Sequence, residues 1–101
     1  MKLIFAAVAV SALMSAPAFA NMDMAKKNAC MACHAVDKKI VGPAFKDIAA
    51  KYAGDKTAVD RLAAKIQKGG AGVWGPLPMP ANTQVNEAEA KKLATWVLTI
   101  K

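Results

Sequence analysis

Both cysteines and the only histidine of this 101-residue chain lie within five consecutive positions. The segment reads Cys30-Met31-Ala32-Cys33-His34, so two residues separate the thiols and an imidazole follows the second thiol directly. Proteins use thiols and imidazoles at such spacings for disulfides, thiol redox exchange, metal binding and covalent cofactor attachment. The chemistry of this segment therefore determines the interpretation of the whole chain.

Three of these chemistries use the segment poorly. A disulfide between Cys30 and Cys33 would close a very small loop and stabilise little. A thioredoxin-like redox pair requires a βαβ context, and strand patterns are nearly absent from the chain. A zinc site requires four ligands, so a carboxylate or water would have to join the set, and the adjacent Cys33 and His34 are awkward ligands for one tetrahedral ion.

The fourth chemistry uses every residue at its position, because C-x-x-C-H is a motif of covalent haem attachment. The two thiols add across the two vinyl groups of the porphyrin, and the histidine that follows is held under the iron. We therefore predict one haem c, attached through thioethers at Cys30 and Cys33, with His34 as an axial ligand of the iron.

A second axial ligand is predicted in the segment 69–85, which holds four of the six glycines and three of the five prolines. A loop of this length in a small domain usually has a function. Met79 lies in it between two prolines, 45 residues beyond His34. Filling of the core is the alternative role for a methionine. The other methionines beyond residue 20 lie near the N-terminus or inside the attachment motif: Met22, Met24 and Met31.

The first twenty residues have the pattern of a secretory signal peptide. Lys2 precedes a short apolar run, and Ala18 and Ala20 form an A-x-A end. The run is shorter than the ~20 residues that cross a bilayer, which argues against a membrane anchor. We expect cleavage after Ala20 and export to the periplasm. Residues 21–101 then form one monomeric domain with 13 basic and 7 acidic side chains, without membrane insertion or nucleic-acid binding.

Helix patterns dominate this domain, so the sequence predicts an all-α fold. We expect a first helix to begin at Pro43, a second to follow Asp55 or Thr57, with Thr57 and Asp60 forming a capping box, and a third to follow Asn86. The apolar positions expected to face the core are Phe45, Ile48, Ala49 and Tyr52 in the first helix, Val59, Leu62, Ala63 and Ile66 in the second, and Leu93, Trp96, Val97 and Ile100 in the third.

Four segments, CMACH, VGPAFKDIAAKYAG, GGAGVWGPLPMP and LATWVLTIK, resemble the short, single-haem bacterial class I cytochromes c of the c-551/c-552 group. The likeness covers about residues 22–101. It implies a small class I cytochrome c fold, with helices wrapped around one covalently attached haem. It also implies an electron carrier, whose transient partners would be a membrane cytochrome complex, nitrite reductase, an oxidase or a peroxidase.

The resemblance also implies roles for residues around the haem. The Pro43 carbonyl would accept a hydrogen bond from the His34 ring and orient it. Trp74 would bind a haem propionate, and Asn82 would donate towards the sulfur of the axial methionine. Lys65 occupies a position where some relatives carry a propionate-binding arginine, but lysine cannot make the same bidentate contact.

An accessible haem edge would be the route of the electron. We expect an apolar rim around it, formed by Met31, Ala32, Ile40, Val41, Pro76, Leu77 and Pro80, with the nearby lysines Lys26, Lys27, Lys38 and Lys39. The alternative functions are a haem enzyme, such as a peroxidase or a nitrite-reducing domain, and a gas sensor. Both need a displaceable axial ligand, and an enzyme also needs an acid–base group that a chain with one histidine does not offer at that site.

Overall fold

The computed structural model describes residues 18–101, with side chains described from residue 21 onwards. The helices are α1 (Ala18–Lys27), a short 3-10 helix (Cys30–Ala32), α2 (Phe45–Lys51), α3 (Ala58–Lys68) and α4 (Glu87–Leu98). Strand-like pairing within the described residues is limited to two isolated bridges, His34 with Lys39 and Gly70 with Met79. The all-α prediction is confirmed. Most of the predicted signal peptide, residues 1–20, lies outside the described residues.

The last helix, α4, is the centre of the packing. It packs most extensively against α3 and also contacts α2 and α1. Leu93 is fully buried, and burial of a side chain of this size contributes roughly 1.5–3 kcal/mol. The core is formed mainly by the predicted apolar faces, with Val59, Leu62, Ile66, Tyr52 and Ile100 partly buried against it. Its buried members include Ala25, Phe45, Ile48, Ala63, Ala90, Leu93, Ala94, Trp96 and Val97.

Helix α2 begins two residues later than predicted. Ala44 is its N-cap, with an extended backbone (φ −63°, ψ 144°), so Pro43 lies outside the helix. The first amide groups of α2 are satisfied by another segment, since Phe45 N–H donates to the Ala35 carbonyl at 2.9 Å and Lys46 N–H donates to the Val36 carbonyl at 3.0 Å. These bonds tie the start of α2 to the chain that follows the attachment motif.

The turn before α3 also differs from its prediction. Thr57 is the N-cap residue, but its side chain makes no capping bond, so the predicted capping box with Asp60 is wrong. Its hydroxyl instead donates to the Asp55 carboxylate at 2.9 Å and accepts a bond from Arg61 Nε at 3.1 Å. The same carboxylate accepts the Thr57 backbone N–H at 2.9 Å. Asp55 thus organises this turn.

The cap of α4 is the predicted one. The Asn86 side chain accepts the Glu89 backbone N–H at 2.8 Å, which satisfies one of the free donors at the helix start. Among residues 18–101, the helices are all too short or too polar to span a membrane.

Candidate haem site

The attachment motif is folded into one tight turn. The Cys30 carbonyl accepts the backbone N–H groups of Cys33 at 3.2 Å and of His34 at 3.0 Å. Ala29, directly before the motif, has φ 62° and is the one non-glycine residue with a positive φ in the described part of the chain. The left-handed residue ends α1 and turns the chain into the motif. Both thiols and the imidazole therefore lie on one short, hydrogen-bonded segment.

The state of the cysteines favours attachment over the other chemistries. Both thiols are free and partly buried. Burial is the largest influence on Cys30 and raises the pKa of its thiol, with the nearby Cys33 adding to the rise. Redox-active C-x-x-C pairs usually need a lowered thiol pKa. Between residues 18 and 101, no group of three or more histidine, cysteine or acidic side chains is placed to hold a metal ion.

The His34 ring is held by contacts on two further segments. Its Nδ1 lies 2.7 Å from the Pro43 carbonyl oxygen, as the resemblance implied. A carbonyl can only accept, so Nδ1 carries the hydrogen and Nε2 keeps its lone pair for a metal. Phe45 stacks on the imidazole with ring centroids 5.0 Å apart, and Phe45 in turn meets the edge of Trp96 at 5.5 Å. The imidazole is thus supported by α2 and α4.

Gly42 is a site residue that the sequence reasoning did not single out. Its N–H donates to the Cys33 carbonyl at 2.7 Å, which brings the segment before Pro43 back against the attachment turn. A Cβ at this position would lie 2.5 Å from Cε1 and 2.9 Å from Nδ1 of His34. Hydrogen is therefore the only side chain that fits beside the imidazole. The glycine directly before Pro43 in the VGPAF segment was the available signal.

The loop that carries Met79 is pinned by its backbone. Met79 N–H donates to the Gly70 carbonyl at 2.9 Å, and Gly70 N–H donates to the Met79 carbonyl at 3.0 Å. Inside this bridge, Gly72 N–H donates to the Gly75 carbonyl at 2.9 Å, so the segment folds back on itself. Gly69 has φ 72°, and a Cβ there would collide with the Met79 carbonyl. The glycines of the loop, as well as its prolines, thus hold the backbone of Met79 in place.

Asn82 closes the loop onto α3. Its backbone N–H and its side-chain Nδ2 each lie 3.0 Å from the Ile66 carbonyl oxygen and donate to it. An amide NH₂ carries two hydrogens, so one remains for another acceptor. Gln84 Nε2 approaches the Asn82 side-chain oxygen at 3.5 Å. Asn82 thus holds the end of the Met79 loop in place.

Most of these residues line one cleft of about 370 Å³, but Asn82 is not among its lining residues. Cys30, Cys33, His34 and Met79 all reach it, and its remaining walls are mainly apolar, including Leu93, Trp96 and Val97 of α4. Trp74 and Lys65 also line it, as do the polar side chains of Lys39, Asp47 and Tyr52. Two free thiols at the attachment spacing, an imidazole with a free Nε2 and a thioether are groups that could attach a haem and bind its iron. The site therefore fits haem c.

Comparison with known proteins supports the same assignment. The cytochrome c family model matches residues 19–101. Cytochrome c-552 of Nitrosomonas europaea is 57% identical over 94 residues, which cover 92% of this chain and 91% of that protein. Cytochrome c-552 of Hydrogenobacter thermophilus is 60% identical over 83 residues, which cover 82% of this chain and 84% of that protein.

The fold matches as well as the sequence does. The crystal structure of wild-type Nitrosomonas europaea cytochrome c552 superposes with a TM-score of 0.77 at 59% identity, and the match covers 79% of this chain and 99% of that one. The resemblance to the c-551/c-552 group is confirmed on both grounds. The chain belongs to the cytochrome c family, as a small electron carrier of the c-551/c-552 group that holds a single covalently attached haem c.

Proposed function

We propose that the protein is a periplasmic electron shuttle whose haem iron is bound by His34 and Met79, with thioether bonds at Cys30 and Cys33. The observation that carries this proposal is the 2.7 Å contact between His34 Nδ1 and the Pro43 carbonyl. That contact fixes the ring hydrogen on Nδ1 and leaves Nε2 as the ligand atom. The bound haem supplies a one-electron redox centre, and the protein sets its ligands and its access.

The protein's contribution to electron transfer is to keep both ligands still. The imidazole is supported by Phe45 and the Pro43 carbonyl, and both backbone groups of Met79 are bonded to Gly70. Because the His34 ring and the Met79 backbone are both held, little has to reorganise when the charge of the iron changes. Histidine–methionine ligation also raises the reduction potential and fills both axial positions, which suits a carrier.

The polar residues of the cleft would bind the outer parts of the haem. Trp74 and Lys65 line the cleft and would face the propionates as hydrogen-bond donor and cation. The second amide hydrogen of Asn82, which the Ile66 carbonyl does not use, would be directed to the Met79 sulfur. The roles of Trp74 and Asn82 follow from the family resemblance, whereas that of Lys65 rests on its position in the cleft lining.

Residues 1–20 would direct export and then be removed. Cleavage after Ala20 keeps the part of α1 from residue 21 onwards, which includes Ala25, fully buried in the core. A mature chain starting at Asn21, plus one haem, is the expected product. Intact-mass measurement of the protein secreted by a host with a haem-maturation system checks both features together.

Partner docking would use the apolar rim near the attachment motif. Three of its side chains are strongly exposed: Leu77 at 63%, Ile40 at 50% and Val41 at 48%. Lys38 and Lys39 are exposed next to Ile40 along the chain. Met31 departs from the expectation because it is partly buried and packs against the core. An apolar patch with a cationic border suits brief contact with a redox protein that carries acidic groups around its own docking site.

The ligation is tested by replacing Met79 with alanine in the matured protein. We expect the oxidised variant to lose the methionine–iron charge-transfer band, and its reduced form to bind carbon monoxide at neutral pH, which the parent should resist. Met31→Ala is the matched control, because Met31 lies in the attachment motif and packs against the core. It should keep the band and the resistance to carbon monoxide.

Retention of the charge-transfer band in Met79→Ala would exclude Met79 as the axial ligand. Ready binding of carbon monoxide by the parent protein would instead favour a haem enzyme or a gas sensor over a carrier, because both need an axial position that a substrate or gas can enter.

A further inference from the structure

Lys51 lies between two aromatic side chains that come from different segments. Its Nζ is 5.6 Å from the centroid of the Trp74 ring and 5.9 Å from the centroid of the Tyr52 ring. Lys51 is the last residue of α2, whereas Trp74 lies in the loop that carries Met79. Both aromatic residues line the haem cleft. The ammonium therefore links the end of α2 to the loop that carries Met79.

The surrounding protein covers the Trp74 side chain only in part. Its side chain is 45% exposed, and the glycines on either side of its segment, Gly72 and Gly75, have φ angles of 111° and 114°. Glycine adopts these angles readily, and the Gly72–Gly75 hydrogen bond closes the backbone of the segment without contacting the indole. Lys51 is the one cation found over the Trp74 ring in the part of the chain that the structure describes.

The Lys51 charge is not neutralised by a neighbouring carboxylate. Across residues 18–101, the ion pairs are those of Arg61 with Asp55 and of Lys91 with Asp60 and Glu87. Asp47 precedes Lys51 by one helical turn, yet it does not come within ion-pair distance of it. The face of an indole attracts a cation through its quadrupole, but it does not cancel the charge. Lys51 is thus able to act on another anion nearby.

We propose that Lys51 is a positioning residue for the haem carboxylates: it holds Trp74 closed over the cleft and places a positive charge beside the propionate that Trp74 binds. The inference rests on the proposed propionate contact of Trp74. A cation at this edge favours the ferrous form, whose net charge is more negative than that of the ferric form. Removal of the charge should therefore lower the reduction potential, and salt should screen the effect.

The test uses the haem-loaded protein with Lys51→Gln, the charge-conserving Lys51→Arg, and Lys46→Gln as the matched control. Lys46 lies on the same helix, is exposed, and has no aromatic ring beneath it among the described cation–ring contacts. Two quantities are measured: hydrogen exchange of the Trp74 indole N–H, with the buried Trp96 indole as internal reference, and the reduction potential at low and high salt.

We expect Lys51→Gln to exchange the Trp74 indole hydrogen several-fold faster than the parent while Trp96 is unchanged. Its potential should fall below that of Lys46→Gln at low salt and approach it at high salt, and Lys51→Arg should resemble the parent in both. Unchanged Trp74 exchange in Lys51→Gln, or a potential equal to that of Lys46→Gln at low salt, would overturn the proposal. Neither result affects the axial ligation, which the charge-transfer band of Met79→Ala tests separately.

Discussion

The His34 imidazole is held from three directions, and each contact limits which residue can occupy the contacting position. The Pro43 carbonyl takes Nδ1–H, Phe45 stacks on the ring, and Gly42 leaves room at its edge. These contacts come from the segment immediately after the motif, so the imidazole is oriented by local chain folding and secured by α4 through Trp96. A residue without a reactive side chain, such as Gly42, is therefore also sensitive to substitution.

Gly42→Ala tests this at the level of a single methyl group. A Cβ at 2.5 Å from the imidazole carbon must displace the ring or the backbone, and overpacking of this kind costs about 1–3 kcal/mol. We expect a matching loss in the free energy of unfolding by denaturant and a changed spectrum of the haem iron. Gly54→Ala is the control, because its φ of 80° strains an alanine while no atom lies near the new Cβ. It should lose stability without a change in the spectrum, and an unaltered spectrum in Gly42→Ala would refute the contact.

Ala29→Gly should increase the free energy of unfolding, whereas Gly42→Ala should reduce it. Ala29 has φ 62° after the end of α1, where glycine is the usual residue. The left-handed conformation costs an L-residue roughly 1–2 kcal/mol, and glycine avoids this cost. Glycine also loses more chain entropy on folding, so the free energy of unfolding should rise by only about 0.5–1 kcal/mol. Thermal and denaturant unfolding of the haem-loaded variant measure it. A variant less stable than the parent would mean that the methyl group of Ala29 makes a contact worth more than the backbone strain.

Among the elements, the sequence predicted α2, α3 and α4 better than their beginnings, and it did not predict α1. The apolar stripes placed α2, α3 and α4 correctly, and the Asn86 cap was identified because its partner Glu89 is three residues away in the same chain segment. The start of α2 was missed because its first amides bond to Ala35 and Val36, a tertiary contact that no local pattern records. The attachment motif, in contrast, could be identified from the sequence because all its chemistry is contained in five consecutive residues.

The turn between α2 and α3 shows how one carboxylate can replace a helix cap. The backbone N–H of Thr57, then its hydroxyl, and then Arg61 lower the pKa of Asp55 below its ordinary value. A lowered pKa in the folded state means that ionised Asp55 stabilises the fold above the unfolded pKa of about 4. This contribution is lost as the pH falls through the folded-state pKa.

Asp55→Asn should therefore be less stable than the parent near neutral pH, with a difference that shrinks below about pH 4, the ordinary pKa of aspartate. Denaturant midpoints at pH 7, 5 and 3 measure this convergence. Asp60→Asn is the control, because Asp60 is exposed and has only a 3.8 Å approach to Lys91. It should change the midpoint less at pH 7. A constant gap between parent and Asp55→Asn down to pH 3 would contradict the role given to the carboxylate.

On the scale of the whole molecule, the excess of basic residues and the apolar rim act at different distances. With 14 basic and 7 acidic side chains in the full sequence, the protein attracts acidic partners from afar and repels its own copies. In the proposed docking mode, close contact would depend on the exposed side chains Ile40, Val41 and Leu77. The sequence predicted which residues form this rim because they lie near the attachment motif or the Met79 loop. Their exposure could not be predicted in the same way, since Met31 packs against the core in the structure.

Electron self-exchange between oxidised and reduced copies separates these two effects. We expect the parent rate to rise with salt, because screening reduces the repulsion between like-charged molecules. Val41→Ala should lower the rate at both low and high salt, since a smaller side chain leaves a poorer apolar contact. Val73→Ala is a closely matched control: Val73 is 49% exposed against 48% for Val41, but it lies outside the rim. Equal rates for Val41→Ala and the parent at both salt concentrations would show that electrons leave the molecule through another surface.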